Sequence, residues 1–195
     1  MIKGIIFDLD GTLVNLPINN KKIQENLKKY FDTSKFFEPL IPTIIKLSEN
    51  DPIKIKNSFE IICKEEILAS ENFKLMDNAI EILNFLKSEH LFLCLITMQC
   101  RDALNNVLQT MQISDLFDSI ISRDESFDRQ EQIEISLNNI GIDPSQVLMI
   151  GDRIHDIKSA KNAGCIPILK INTQDKVPPF ECKIIKNLIE IKENI

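Results

Sequence analysis

The spacing of hydrophobic positions changes along the chain. Ile5-Ile6-Phe7 is a short apolar run with Gly4 before it and carboxylates after it, the pattern of a buried strand. From Lys21 to about Phe73 no strand signal appears, and Ile55, Phe59, Ile62, Cys63 and Ile67 recur at helical spacing. Asn50-Asp51-Pro52 interrupts this block, and Asp51 with Pro52 suits the cap and first turn of a helix. From Asp77 onward helix and strand alternate. The pattern predicts helices over 78–88, 102–111, 130–139 and 154–162, and strands over 91–96, 116–121, 147–150 and 166–169. Gly141 and Gly164 close the last two of these helices, Gly141 as a left-handed cap. The tail from Lys183 to Ile195 reads as a final helix.

Strands alternating with helices of this length make βαβ units, hence an α/β fold with a parallel sheet covered on both faces. The helical block reads as an insertion of about fifty residues after the first strand. In an open parallel sheet, ligands bind beyond the carboxyl ends of the strands. Those ends carry Asp8 and Asp10, then Thr97, then Asp152 followed by Asp156. Gly11-Thr12 break the first strand, so Asp10 falls on the turn just past its end. Two carboxylates so close repel each other unless a cation lies between them, and the hard, oxygen-seeking Mg2+ is the natural candidate.

Asp8-Leu9-Asp10-Gly11-Thr12-Leu13-Val14 resembles the first motif of the haloacid dehalogenase superfamily, and Gly151-Asp152-Arg153-Ile154-His155-Asp156 resembles its fourth. The resemblance implies a Rossmann-like three-layer core, residues 1–15 and 76–195, with a small inserted all-helical cap, residues 16–75. This arrangement is similar to that of phosphoglycolate-phosphatase-like members. It further implies that Asp8 is the nucleophile and Asp10 the general acid and base. Mg2+ would be held by Asp8, the backbone carbonyl of Asp10, Asp152 and, through its water shell, Asp156.

Thr97 resembles the second-motif hydroxyl, which with the neighbouring Met98 backbone N–H would bind a phosphate oxygen. Met98 departs from the Asn or Gly often found there, and Asn15-Leu16 from the Asp-Ser that often follows the first motif. A larger departure concerns the third motif, where the family carries a lysine. No lysine lies between Lys87 and Lys158, yet Arg101, Arg123, Arg129 and Arg153 all do. Arg129 stands about where the lysine should be and is the expected phosphate-binding substitute, with Arg123 as runner-up. An arginine can hold phosphate as a fork, although its shape differs from that of lysine.

Composition narrows the partners. A net charge of −6 argues against a general nucleic-acid or anionic-membrane binder, but leaves room for a small phosphate neutralised locally by a metal. No apolar run approaches the ~20 residues of a membrane span. The five cysteines are odd in number and lack a Cys-x-x-Cys pair, which fits reduced thiols in a cytoplasm. Cys94 and Cys165 read as packing residues, Cys63 and Cys100 as having no nucleophilic role, and His155 as a loop or helix-start residue.

The expected activity is a Mg2+-dependent phosphatase acting on a small phosphorylated metabolite through an aspartyl-phosphate, in a cytoplasmic monomer or homodimer. The alternatives are a phosphotransferase or mutase on sugar phosphates, and a phosphate-binding regulatory protein weakened by loss of the lysine. A dehalogenase fits less well, because Asp10 and the metal ligands belong to the phosphoryl-transfer branch.

Overall fold

The computed structural model describes residues 1–171 and 182–195. Its centre is β1 (Gly4–Asp8), buried along its whole length. β1 is flanked in parallel by β4 (Phe92–Ile96) and β6 (Val147–Gly151). With β5 (Ser119–Ile121), β7 (Ile166–Lys170) and β8 (Lys183–Ile185) they form a six-stranded sheet of order β5-β4-β1-β6-β7-β8. Every pairing in it is parallel.

Side chains alternate across the strands, and this alternation divides the core. Ile5 and Phe7 join Leu93, Leu95, Leu148 and Ile150 on one face, under α4 (Ala79–Ser88) and α5 (Arg101–Met111). Ile6 joins Cys94, Ile96 and Met149 on the other, under α6 (Arg129–Ile140) and α7 (Ile154–Asn162). A sheet buried on both faces needs continuous apolar strands, and β1, β4 and β6 have them. The result is the expected α/β, Rossmann-like three-layer sandwich.

Between β1 and α4 lie three helices, α1 (Asn20–Tyr30), α2 (Leu40–Leu47) and α3 (Pro52–Ser70). They share a separate apolar cluster of Ile23, Leu27, Phe37, Ile44 and Ile62. Asp51 caps α3 by accepting from the N–H groups of Ile53 and Lys54, with Pro52 in the first turn. A two-strand antiparallel ribbon of β2 (Val14–Asn15) and β3 (Lys74–Leu75) closes the segment where it leaves and rejoins the sheet. Two residues per strand are too few for a periodic signal, so this ribbon escapes a reading by hydrophobic pattern.

Three expectations are corrected. The tail is not a helix from Lys183: it first adds β8 to the sheet edge and then forms a 3-10 helix, Leu188–Asn194. Ile185, Leu188 and Ile191 are buried there, and pairing with β7 overrides the helical spacing. The strand predicted over 116–121 begins only at Ser119, because Ser114–Leu116 turns as a 3-10 helix. Finally, Cys63 and Cys100 form a disulfide with their Cα atoms 5.5 Å apart, so not all thiols are reduced. They are 37 residues apart, a separation that carries no pairing signal; α3 packing across the start of α5 brings them together. Cys94 and Cys165 are free and buried. Among the described residues, no helix is long and apolar enough to cross a membrane.

Candidate active site

The site is built at the carboxyl end of β1. Asp8 is the last residue of that strand and lies in register with Ile96, so Thr97 leaves the neighbouring strand beside it. After Asp8 the chain turns tightly: the N–H groups of Leu13 and Val14 both donate to the Leu9 carbonyl, and Gly11 N–H donates to Val14 O at 2.7 Å. The Asp10 carboxylate is pinned in this turn, its Oδ1 accepting from Leu16 N–H at 2.8 Å. Gly11 has φ +90°, a left-handed conformation natural to glycine. A Cβ there would overlap the Asp152 carboxylate, so the turn and the fourth motif are in direct apposition.

β6 ends at Gly151, and a Cβ on that residue would likewise strike Asp156. Asp156 lies in the first turn of α7 and accepts from Arg153 N–H at 3.1 Å, which satisfies one of the helix's orphan donors. The capping role and a role toward the site coexist, because the other oxygen of Asp156 faces Arg129. Oxygens of Asp8, Asp152 and Asp156 all lie within 4.8 Å of one another.

Arg129 is the first residue of α6, and Asp128 caps that helix by accepting from Glu131 N–H at 3.0 Å. The Arg129 side chain is buried and runs inward. Its Nη2 donates to Asp8 Oδ1 at 2.8 Å. Its Nε lies 3.0 Å from Asp156 Oδ1, an ion-pair distance without the alignment of a hydrogen bond. Gln132, one turn further along α6, lies outside the family motifs and joins the site. Its amide donates to the Thr97 and Ser126 carbonyls at 2.8 and 2.7 Å, and its oxygen accepts from Arg129 at 3.2 Å. Spacing i, i+3 from Arg129 puts Gln132 on the same helix face, a signal the sequence does carry.

Thr97 and Met98 reach the same cavity as Asp8, Asp10, Arg129 and Asp156. The Thr97 hydroxyl accepts from Gln99 N–H at 3.2 Å. The Met98 carbonyl accepts from Arg123. Arg123, the runner-up for the missing lysine, is held elsewhere. It makes a two-pronged pair with buried Glu66 of α3, Nη1 to Oε1 at 2.7 Å and Nη2 to Oε2 at 2.8 Å. Its guanidinium also lies over the Phe59 ring. Glu66 further accepts from Cys100 N–H at 2.9 Å. His155 lines the cavity wall as an exposed residue of α7.

Packing three carboxylates here is electrostatically expensive. Burial raises the Asp8 carboxyl well above the ordinary carboxylate range against the opposing pull of Arg129, and the charges of Asp156, Asp152 and Asp10 add to the rise. Burial also raises Asp10. Asp152 is pushed up to about 6 by burial and by Asp156, and its Oδ1 is buried without a hydrogen-bond partner. Arg129, with the exposed Arg153 whose Nε lies 3.9 Å from Asp152 Oδ1, does not balance this set, whereas a hard divalent cation would satisfy the oxygen left without a hydrogen bond. The donor set is therefore chemically suited to Mg2+.

The haloacid dehalogenase-like hydrolase family profile matches residues 5–169, and the chain belongs to that family. Within it the chain is a phosphatase, a phosphoric monoester hydrolase. Among curated proteins, it is 27% identical to the pyrophosphatase PpaX of Bacillus velezensis over 84% of this chain and 80% of that one. Among solved structures, it is 25% identical to a HAD-superfamily hydrolase from Ehrlichia chaffeensis, with TM-score 0.67, covering 100% of this chain and 97% of the other. The fold also matches CbbY from Rhodobacter sphaeroides, crystallised with phosphate, at TM-score 0.73 and 14% identity over 98% and 96% of the two chains.

Proposed function

We propose that this phosphatase cleaves small phosphate monoesters through an aspartyl-phosphate on Asp8, with Mg2+ as cofactor. The observation that carries the reading is Arg129, bonded to Asp8 and in ion-pair contact with Asp156 at the position left without a lysine. That contact also weighs against a weakened, purely phosphate-binding protein, because Arg129 offers a cation where the lysine is lacking.

In the first step an Asp8 carboxylate oxygen bonds to phosphorus while the bond from phosphorus to the ester oxygen breaks. Asp10, protonated more readily because it is partly buried, gives its proton to that leaving oxygen. In the second step Asp10 takes a proton from water, the water oxygen bonds to phosphorus, and the Asp8–phosphorus bond breaks. Phosphate is released and both carboxyls return to their starting states.

Arg129 offers positive charge to Asp8 and to the transferring group, which lowers the repulsion between a carboxylate and a phosphate dianion. Thr97 and the Met98 backbone are suited to a second phosphate oxygen, and Gln132 positions Thr97 and Arg129. Asp8, Asp152 and Asp156, with the Asp10 carbonyl, would hold Mg2+. Bound there, the ion would neutralise charge spreading onto the phosphoryl oxygens. We read helices α1–α3 as a cap over the site, with boundaries near residues 16 and 75, that excludes water and selects the substrate. The name of the Bacillus velezensis relative makes inorganic pyrophosphate the natural comparison substrate.

The test is phosphate release from an aryl phosphate with and without Mg2+, for the wild type and Asp8→Asn. Metal-dependent release that disappears in Asp8→Asn is expected. Release that persists in Asp8→Asn would overturn the reading.

A further inference from the structure

The cavity over Asp8 has a volume of about 1040 Å3, far more than a phosphate group fills. Sites for drug-sized molecules span about 300–1,000 Å3. Its floor is the polar cluster already described; its upper wall is different in kind. Leu16 and Ile18 from the connector, Ile23 from α1, and Leu40, Ile41 and Ile45 from α2 line it. Phe127, 44% exposed, lines it from the core side just ahead of α6.

The buried arginines of the cavity are already committed. Arg129 is engaged by Asp8 and Asp156, and Arg123 by both oxygens of Glu66 and by the Met98 carbonyl. Among the described lining residues, the remaining arginine and lysine side chains are Arg153 and Lys46. The Arg153 side chain is 73% exposed and lies nearest Asp152, and Lys46 is exposed on α2. Lining carboxylates outnumber lining cations. A second phosphoryl or carboxylate group would therefore meet a mainly apolar wall with Lys46 as its one cation among the described residues, instead of a second cationic cradle.

From this division we infer that the enzyme prefers monophosphate esters of a bulky, uncharged, largely apolar alcohol over pyrophosphate, bisphosphates or phosphorylated acids. The proposal rests on the phosphatase reading and adds the chemical class of the leaving group. The phosphate sits on the polar floor, and the alcohol's hydrocarbon body lies against Leu40, Ile41 and Ile45. Burying hydrocarbon there removes apolar surface of both partners from water, which is favourable at about 0.8 kcal/mol per methylene, or roughly fourfold in affinity.

The experiment is steady-state phosphate release, with Mg2+, from n-alkyl phosphates from ethyl to octyl, from inorganic pyrophosphate and from a sugar bisphosphate. Partial burial of the six added methylenes should raise kcat/KM roughly hundredfold from ethyl to octyl, chiefly through KM, and above the values for pyrophosphate and the bisphosphate. Ile45→Asp should flatten the dependence on chain length. A flat series for the wild type, or faster hydrolysis of pyrophosphate or the bisphosphate, overturns the substrate class and leaves the phosphatase standing. Absence of hydrolysis across every ester, with Asp8→Asn indistinguishable from wild type, overturns the phosphatase reading and this proposal together.

Discussion

Arg129 Nη2 donates to Asp8 Oδ1 at 2.8 Å, across 121 residues of chain. The same guanidinium stands 3.0 Å from Asp156, so one side chain at the start of α6 links the end of β1 to the first turn of α7. Removing it leaves two buried carboxylates facing each other without their shared cation. Arg129→Ala should lower kcat/KM by roughly 10²–10³, the usual scale for losing one preorganised charge-stabilising donor. Arg129→Lys should recover much of that loss, because it restores the charge but not the fork. The check is steady-state phosphate release for both variants; unchanged turnover in Arg129→Ala would remove Arg129 from the mechanism.

Gly11 makes a separate, structural prediction. Its φ of +90° and its apposition to the Asp152 carboxylate mean that Gly11→Ala adds both backbone strain and a collision. Strain alone is on the order of 1 kcal/mol. The variant should melt at lower temperature and, because Asp152 must shift, require more Mg2+ for half-maximal activity. A metal titration and a thermal melt separate the two effects.

Glu66 and Arg123 form the buried joint between α3 and the loops that follow β4 and β5. Glu66→Ala should cost about 3–5 kcal/mol of stability, since it strands a buried guanidinium. Replacing both residues by methionine should cost much less, because no unpaired charge remains. Urea denaturation of the single and double variants tests this; equal losses in the two would contradict it.

The legible part of this protein is the part organised by regular periods. β1, β4 and β6 carry continuous apolar runs, and α4 through α7 lie within a residue or so of their predicted spans. Asp8, Asp10, Thr97, Asp152 and Asp156 stand at strand ends, where ligands bind in a parallel sheet, and the resemblance to the first, second and fourth family motifs singles out the same residues. Arg129 is legible only through the family resemblance, which calls for a lysine at a place where this chain carries none and has Arg129 instead. What was not legible depends on approach in space. Glu66 meets Arg123 across 57 residues, and nothing local marks either as a partner. Cys63 and Cys100 meet only once α3 lies over α5. The tail kept its helical spacing on paper, yet the open edge of β7 offered unpaired backbone groups, and Lys183–Ile185 took them.

The cysteines can be counted chemically. Burial pushes the Cys94 and Cys165 thiols up to about 12, so neither forms appreciable thiolate below about pH 10. With Cys63 and Cys100 joined, only Cys182 should react promptly with a thiol reagent in the native protein. Denaturation should expose three thiols, and reduction before denaturation five. Five reactive thiols without reductant would mean that the disulfide is absent in solution.

The central claim is that Asp8 carries the phosphoryl group between the two steps. It is tested by acid-quenching the Asp10→Asn variant during turnover of an aryl phosphate labelled on phosphorus, in the presence of Mg2+. An aryl leaving group departs without a proton, so the first step can proceed while the second lacks its base. The account predicts label accumulating on the protein, located at Asp8, released by hydroxylamine and absent from the Asp8→Asn/Asp10→Asn double variant. Aryl alcohol release with no protein-bound label, or label retained in the double variant, would contradict it.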